Sequence, residues 1–174
     1  SERKNVDVRE NNIRKEMPKS DIIVAGPPCQ GFSLTGPRNI DDPRNKLYLS
    51  VFKTLKLTTR KAFVVENVRG LKTMWEGNVF KEIIKKFESA GYIVTESLLN
   101  SADYGVPQIR HRVFIVGIKK ELDKKFEFPK PEFDKDNYIT CGEAIDNLPS
   151  LDNGELKSSN YNEKPTTNFQ RYVM

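Results

Sequence analysis

The sequence predicts an α/β fold built on an open sheet, and three observations carry that prediction. Apolar runs of about four to eight residues, bounded by turn formers, read as buried strands. Between them lie segments with apolar residues at helical spacing. The two kinds alternate along the chain, which argues for a parallel sheet with crossover helices.

The first strand is Asp21–Ala25. It stops at Gly26, Pro27 and Pro28, where glycine permits close backbone approach and the prolines fix the chain direction. Residues 30–46 form a polar loop with Arg38, Asn39, Asp41, Asp42, Arg44 and Asn45. A loop of that length is uncommon unless it is functional or disordered. A helix is expected over Leu47–Leu57, with Leu47, Val51 and Leu55 on one stripe. Ala62–Val65 is a second buried strand, ending in Glu66-Asn67-Val68. Asn78–Ala90 is amphipathic, with Val79, Phe80, Ile83, Ile84 and Phe87 inward and Gly91 as its stop. Tyr92–Leu99 and Val113–Ile118 read as further strands. After Lys119 the character changes. Residues 121–137 read as a connector. Thr140–Leu148 can form a short helix with Thr140 as cap and Glu143 three residues on, and residues 149–174 are polar and read as mostly irregular.

Composition narrows the function classes. The chain has 174 residues, enough for one domain with a core, and is 37% hydrophobic and 30% charged. Its two cysteines are remote from each other, which excludes a disulfide framework and fits a reducing, cytoplasmic compartment. No apolar run reaches membrane-span length and no signal peptide opens the chain, so no membrane partner is expected. The net charge is +5, unevenly placed: residues 30–72 hold nine Lys or Arg against three Asp or Glu, a local +6. A basic stripe points to a polyanion such as nucleic acid, although a solvated helix face has the same composition.

Three segments carry candidate chemistry. Cys29 follows the Gly26-Pro27-Pro28 stop, at a strand's carboxyl end, where open α/β sheets bind their ligands. A nucleophile would sit there. The alternative is a small buried hydrophobe, the commoner state of a free cysteine. Glu66 and Asn67 end the second strand at the same sheet edge. A carboxylate after a β-branched run is partly desolvated, which favours its protonated form and suits a general acid. The alternatives are a Glu that meets water or one that pairs with a neighbouring Arg. In Gln108-Ile109-Arg110-His111-Arg112, an extended chain would put Gln108, Arg110 and Arg112 on one face. Such planar groups bind a carboxylate, a phosphate or a base carbonyl; charges on an edge strand are the alternative. His111 falls on the other face and reads as structural. No metal-ligand cluster is visible.

Pro-Pro-Cys-Gln-Gly-Phe-Ser, then Glu-Asn-Val, then Gln-x-Arg-x-Arg, in this order and at these separations, resembles the DNA cytosine carbon-5 methyltransferases. The resemblance covers residues 6–118 strongly and the tail through Phe169-Gln170-Arg171 more loosely. It implies a doubly wound, Rossmann-like sheet that binds S-adenosylmethionine, incomplete in this chain. Cys29 would be the nucleophile and Glu66 would meet cytosine at nitrogen 3. Arg110 and Arg112 would hold the base carbonyl and the catalytic loop. Asn67 would order its turn and lie with Gln30, Ser33, Arg38, Arg44 and Gln108 among the residues facing DNA. Asp7, Pro28 and Leu47 match positions that contact the cofactor. The implied reaction is methyl transfer to carbon 5 of a flipped cytosine through a covalent Cys29 adduct, in the setting of restriction and modification.

The resemblance also implies parts that this sequence does not display. The family's glycine-rich cofactor loop has no counterpart before Gly26, and a full target-recognition region and closing motif are not found before Met174. Residues 1–118 are therefore expected to be a partial catalytic domain. Residues 119–174 are expected to be a connector and the start of the target-recognition region. The remainder of the enzyme is a candidate partner as a second chain, and the 174 residues by themselves are expected to be inactive. An RNA (transfer RNA) cytosine methyltransferase and a non-catalytic nucleic-acid-binding remnant stand as alternatives. A cysteine hydrolase would need a histidine base, and His111 is on the wrong face for that.

Overall fold

The computed structural model describes residues 20–28, 48–57, 60–148 and 164–173. The chain divides into two compact units, Ser1–Leu99 with His111–Pro129 and Asn100–Arg110 with Lys130–Met174.

In the first unit the elements run β1 (Ile22–Ala25), α1 (Tyr48–Leu57), β2 (Ala62–Val68), the short α2 (Gly70–Thr73), a 3-10 turn over Met74–Gly77, α3 (Asn78–Ser89), β3 (Tyr92–Asn100) and β4 (His111–Lys119). Helix α3 forms where the sequence predicts it, because Phe80, Ile83 and Phe87 recur at helical spacing and are all buried. It ends at Gly91, whose φ of 89° is the left-handed conformation that glycine adopts without cost. The Lys119 ammonium then donates to the Ala90 carbonyl at 3.4 Å, placing a cation where the helix dipole favours one.

The sheet order is β1-β2-β4-β3. β1 and β2 are parallel, with Ala25 beside Val65. β4 runs antiparallel to β2, with Ala62 beside Ile118 and Val68 beside Arg112. The purely parallel sheet expected from the alternation of elements is thus corrected to a mixed one. The physical reason lies between β3 and β4: residues 101–110 are too few for the crossover, roughly a dozen residues or more, that a parallel return requires.

Period-two alternation splits this sheet into unlike faces. Phe63, Val65, Val113 and Ile115 share one face and are buried with Leu55 of α1 and Phe80, Ile83 and Phe87 of α3. Phe63 sits at the centre, its ring 4.6 Å from that of Phe87 and 5.2 Å edge-on from that of Tyr92. It lies across from Gly117, where a Cβ would stand only 2.1 Å from the Phe63 ring, so the strand needs glycine there. The Tyr92 hydroxyl, taken into the interior, donates to the Arg60 carbonyl at 2.8 Å. The other face is more open: Ile22 is 55% and Val24 77% exposed.

Two strands differ in extent from the sequence expectation. β2 continues through Glu66, Asn67 and Val68, because all seven residues find partners on β4. β4 starts only at His111, so the shared face expected for Gln108, Arg110 and Arg112 does not form. Gln108 lies in a bend, its N–H turned back to the Val106 carbonyl at 2.7 Å. Pro107 has no N–H to give a ladder.

In the second unit a 3-10 turn covers Ser101–Tyr104, followed by α4 (Cys141–Ile145) and α5 (Asn168–Val173). The expected cap of α4 is a complete capping box. Glu143 N–H donates to Thr140 Oγ1 at 3.1 Å and Thr140 N–H donates to Glu143 Oε2 at 2.8 Å. α5 is a helical piece at the end of the stretch expected to be mostly irregular. It shows no apolar period because its buried residue is Gln170, whose Oε1 accepts from Thr166 N–H at 2.7 Å and from Thr166 Oγ1 at 3.0 Å.

Candidate active site

Parallel pairing of Ala25 with Val65 carries both strands to the same end of the sheet, so Gly26 stands beside Glu66 and Pro27 beside Asn67. A Cβ on residue 26 would lie 3.6 Å from Glu66 Oε2, so the acid occupies the space directly over the glycine. Asn67 points the other way and is 5% exposed. Its Nδ2 donates to the Pro27 carbonyl at 3.2 Å, and its Oδ1 accepts from Val68 N–H at 2.8 Å. The amide therefore holds the chain as it leaves β1, from the buried side. Glu66 and Asn67 share a sheet edge, as expected, but not a face, so Asn67, expected among the residues facing DNA, is instead turned to the buried side.

Arg112 completes the group on the open face. Glu66 is directly across from Phe114, and Arg112 is two residues along the same strand, hence on the same face. The Arg112 Nε lies 2.9 Å from Glu66 Oε1, with side-chain exposures of 23% and 39%. The guanidinium is steadied further by an Nη1 hydrogen bond to the His111 carbonyl at 2.8 Å. Of the two alternatives to a desolvated acid, the salt bridge is the one realised: Glu66 is held in one orientation by Arg112. A charge-assisted bond of this geometry directs the carboxylate more than it stabilises the fold, since partly exposed pairs contribute about 0–1 kcal/mol.

The other expected site residues fall in three places. Pro28 is described and is exposed beyond the end of β1. Gln108 and Arg110 are exposed members of the second unit. Asp7, Cys29, Gln30, Ser33, Arg38, Arg44 and Leu47 lie outside the described residues, Cys29 being the next residue in the chain after Pro28. Among the described residues no cluster of His, Cys, Asp and Glu could hold a metal ion. None of the described helices is long and apolar enough to cross a membrane. The sequence pattern does not mark the Pro27 carbonyl as a structural partner. The reverse run of β4, which brings Arg112 to Glu66, was signalled only by the short β3–β4 connection.

A mixed sheet with helices on one face and an acid–guanidinium pair at the carboxyl end of a parallel strand defines an α/β protein with a candidate ligand site where open sheets place one. The comparisons with known proteins agree on a narrower one. The family model described as C-5 cytosine-specific DNA methylase matches residues 1–173, and the chain belongs to that family. It is 42% identical over 160 residues to the type II methyltransferase M.BspRI of Lysinibacillus sphaericus, an alignment covering 88% of this chain and 38% of that one. Identity to M.BsuRI of Bacillus subtilis is 48% over 124 residues, covering 70% of this chain and 28% of that protein. The fold is similar to a crystal structure described as a DNA modification methyltransferase encoded within a prophage (E. coli), with a TM-score of 0.65, 30% identity and coverage of 84% of this chain and 42% of that chain. The chain thus spans between about a quarter and two fifths of the length of these curated relatives. A methyltransferase family and fold imply S-adenosylmethionine as methyl donor in general terms. Of the three residues expected to touch it, Pro28 alone is among the described ones, and it is exposed.

Proposed function

We propose that this chain carries the reactive centre of a DNA cytosine carbon-5 methyltransferase, with Cys29 as nucleophile and Glu66 as the proton-holding partner of the base. The observation that carries the reading is the 2.9 Å Glu66–Arg112 pair on the open face at the strand end from which Pro28 leads into Cys29.

Carbon 5 of cytosine is a weak nucleophile, and addition of a thiolate to the neighbouring carbon 6 turns the ring into an enamine-like species. A thiol at its ordinary pKa is only about 3% thiolate at pH 7. Local positive charge raises that fraction, and the +6 balance of residues 30–72 supplies charge of that sign. Negative charge and basicity then build at ring nitrogen 3, where a proton shared between the ring nitrogen and the Glu66 carboxyl stabilises the adduct. Arg112, bound through Nε to Glu66, keeps the carboxylate aimed and offers its remaining N–H groups to the base carbonyl. Arg110 adds a second guanidinium for the base or for the loop of residues 30–46. Asn67 fixes the Pro27 carbonyl and with it the start of the chain that leads to Cys29. S-adenosylmethionine, when bound with the help of Asp7, Pro28 and Leu47, supplies the electrophilic methyl group that carbon 5 accepts. Water then takes the carbon 5 hydrogen as a proton, the freed electron pair re-forms the carbon 5–carbon 6 double bond and expels the Cys29 thiolate, and the nitrogen 3 proton returns to Glu66, which completes the cycle.

The target atom is inaccessible inside a duplex, so the base must be flipped out at a cost of a few kcal/mol. Phosphate contacts offset that cost; Gln30, Ser33, Arg38, Arg44 and Gln108 are the residues to which we assign them. The 1–118 and 119–174 division into a partial catalytic domain and a connector with the start of the target-recognition region belongs to the same proposal. So do a second chain supplying the remainder and the inactivity of the 174 residues alone. The test is covalent trapping. The protein as encoded, with S-adenosylmethionine and a duplex carrying 5-fluorocytosine in its target site, forms a complex that survives denaturation, and Cys29→Ser abolishes it. A Cys29→Ser variant that still traps DNA would overturn the assignment.

A further inference from the structure

Arg110 has an exposed side chain on a backbone that is held at both ends. Its N–H donates to Asn100 Oδ1 at 3.1 Å. Its carbonyl accepts from the Ser101 N–H at 3.0 Å and from Ser101 Oγ at 3.2 Å. These bonds close residues 100–110 into a loop whose two ends meet at Arg110. The loop turns at Gly105, where φ is 78° and a Cβ would stand 3.1 Å from the Phe133 ring.

Asn100 is the joint. It is 8% exposed and uses every hydrogen-bonding valence of its amide. Oδ1 also receives Ala102 N–H, at 3.5 Å. Nδ2 donates to Asp103 Oδ1 at 3.1 Å and to the Tyr138 hydroxyl oxygen at 3.2 Å. The Tyr138 hydroxyl in turn donates to Asp103 Oδ1 at 2.5 Å. That bond raises the Tyr138 phenol above its ordinary value, because the Asp103 carboxylate accepts from its protonated form. The amide cannot be reversed without setting its oxygen against the Asp103 carboxylate, so Oδ1 must face Arg110. Asp103 is itself anchored, its carbonyl accepting from Glu132 N–H at 2.9 Å and Phe133 N–H at 3.1 Å.

We propose that Asn100, oriented by Asp103 and Tyr138, is a positioning residue that fixes the backbone of Arg110 and so presents its guanidinium to the substrate. The assignment rests on the reading of Arg110 as a residue that holds the base or the catalytic loop. A buried amide with all valences satisfied fixes a single geometry, whereas a guanidinium on a mobile stem would lose orientation on every turnover. Nothing in the apolar pattern of the sequence marks Asn100, Asp103 or Tyr138 for this work.

The experiment has a structural arm and a kinetic arm, both on the protein as encoded. In the first, residue-resolved amide exchange is followed by NMR. Asn100→Ala accelerates exchange at the Arg110 N–H by about tenfold or more, as one lost hydrogen bond predicts, while the amides of residues 113–117 keep their protection. The double exchange of donor and acceptor, Asn100→Asp with Asp103→Asn, rebuilds the same bonds in reverse and restores protection. Tyr138→Phe, which removes one hydroxyl and can be read even if Asn100→Ala fails to fold, gives a smaller acceleration at the same amide. In the second arm, Asn100→Ala lowers kcat by about tenfold or more and leaves KM within about threefold, and adds nothing further in an Arg110→Ala background. Unchanged Arg110 protection in Tyr138→Phe and Asn100→Ala overturns the proposal. So does failure of the swapped pair to rescue, or a full additive loss in the Arg110→Ala background. An Arg110→Ala variant with normal kcat, alongside the expected exchange pattern, would overturn instead the role assigned to Arg110.

Discussion

Glu66 and Asn67 are neighbours in the chain and belong to opposite faces of the sheet. Asn67 is 5% exposed and bonded to the Pro27 carbonyl, on the side where Phe63, Val65 and Val113 pack against α1 and α3. The Glu66 side chain is 39% exposed and bonded to Arg112, on the side where Val24 is 77% exposed. One step along β2 separates a residue that holds the fold from one that is available to a substrate. Strand periodicity is sufficient for this division of labour: the same ladder that fixes Asn67 fixes the direction of Glu66.

The sharpest way to break the comparison is to neutralise each face in turn. Glu66→Gln keeps the shape of the side chain and removes its proton chemistry. It should lower kcat of the encoded protein by about 10²–10⁴-fold. Its unfolding free energy, from urea titration, should change by no more than about 1 kcal/mol, because a partly exposed ion pair contributes little to stability. Phe63→Ala does the reverse. Loss of a ring in contact with Phe87 and Tyr92 should cost about 3–5 kcal/mol of stability, measured by denaturant titration, while the folded fraction keeps its turnover rate.

Asn67→Ala sits between the two. It strips a partner from the Pro27 carbonyl and from the Val68 N–H, and should cost about 1–3 kcal/mol. Because that carbonyl precedes Cys29 by only two residues, covalent trapping should slow as well. A variant that loses stability with no change in trapping would confine Asn67 to the fold.

The smallest effect lies away from both faces, in the capping box of α4. Hydrogen bonds from the Thr140 backbone and hydroxyl hold the Glu143 carboxyl below its ordinary value of 4.5. A depressed folded value means that the cap stabilises α4 above the ordinary carboxylate range and loses that contribution as pH falls through the folded value. The protection factor of the Glu143 amide, taken relative to the intrinsic exchange rate at each pH, should therefore fall on acidification, and Glu143→Gln should flatten that response.

Much of this arrangement was legible in the sequence. The stop after Ala25, the carboxylate at the end of the Val64-Val65 pair and the closely spaced arginines after Pro107 are local features, readable from turn chemistry and alternation. The partners were not. The pairing of Arg112 with Glu66 depends on β4 running against β2, and the alternation of strands and helices suggested the opposite direction. The extended face proposed for Gln108, Arg110 and Arg112 failed because the Arg110 N–H goes to the Asn100 side chain and Gln108 turns back on Val106. Helix α5 escaped notice because its buried residue is Gln170, polar and therefore silent in any hydrophobic period. Local chemistry is written in the residues themselves, whereas long-range partners are decided by topology.

In the proposed reaction a sulfur, an acid and a guanidinium meet one extruded cytosine on the open face of the sheet. The most direct measurement is a crystal structure of the encoded protein trapped on duplex DNA containing 5-fluorocytosine. The expected density shows a bond from Cys29 Sγ to carbon 6, Glu66 within hydrogen-bond reach of nitrogen 3, and Arg112 still on Glu66 and facing the base carbonyl. A cytosine bonded elsewhere, or a Cys29 turned to the buried side with Asn67, would contradict it.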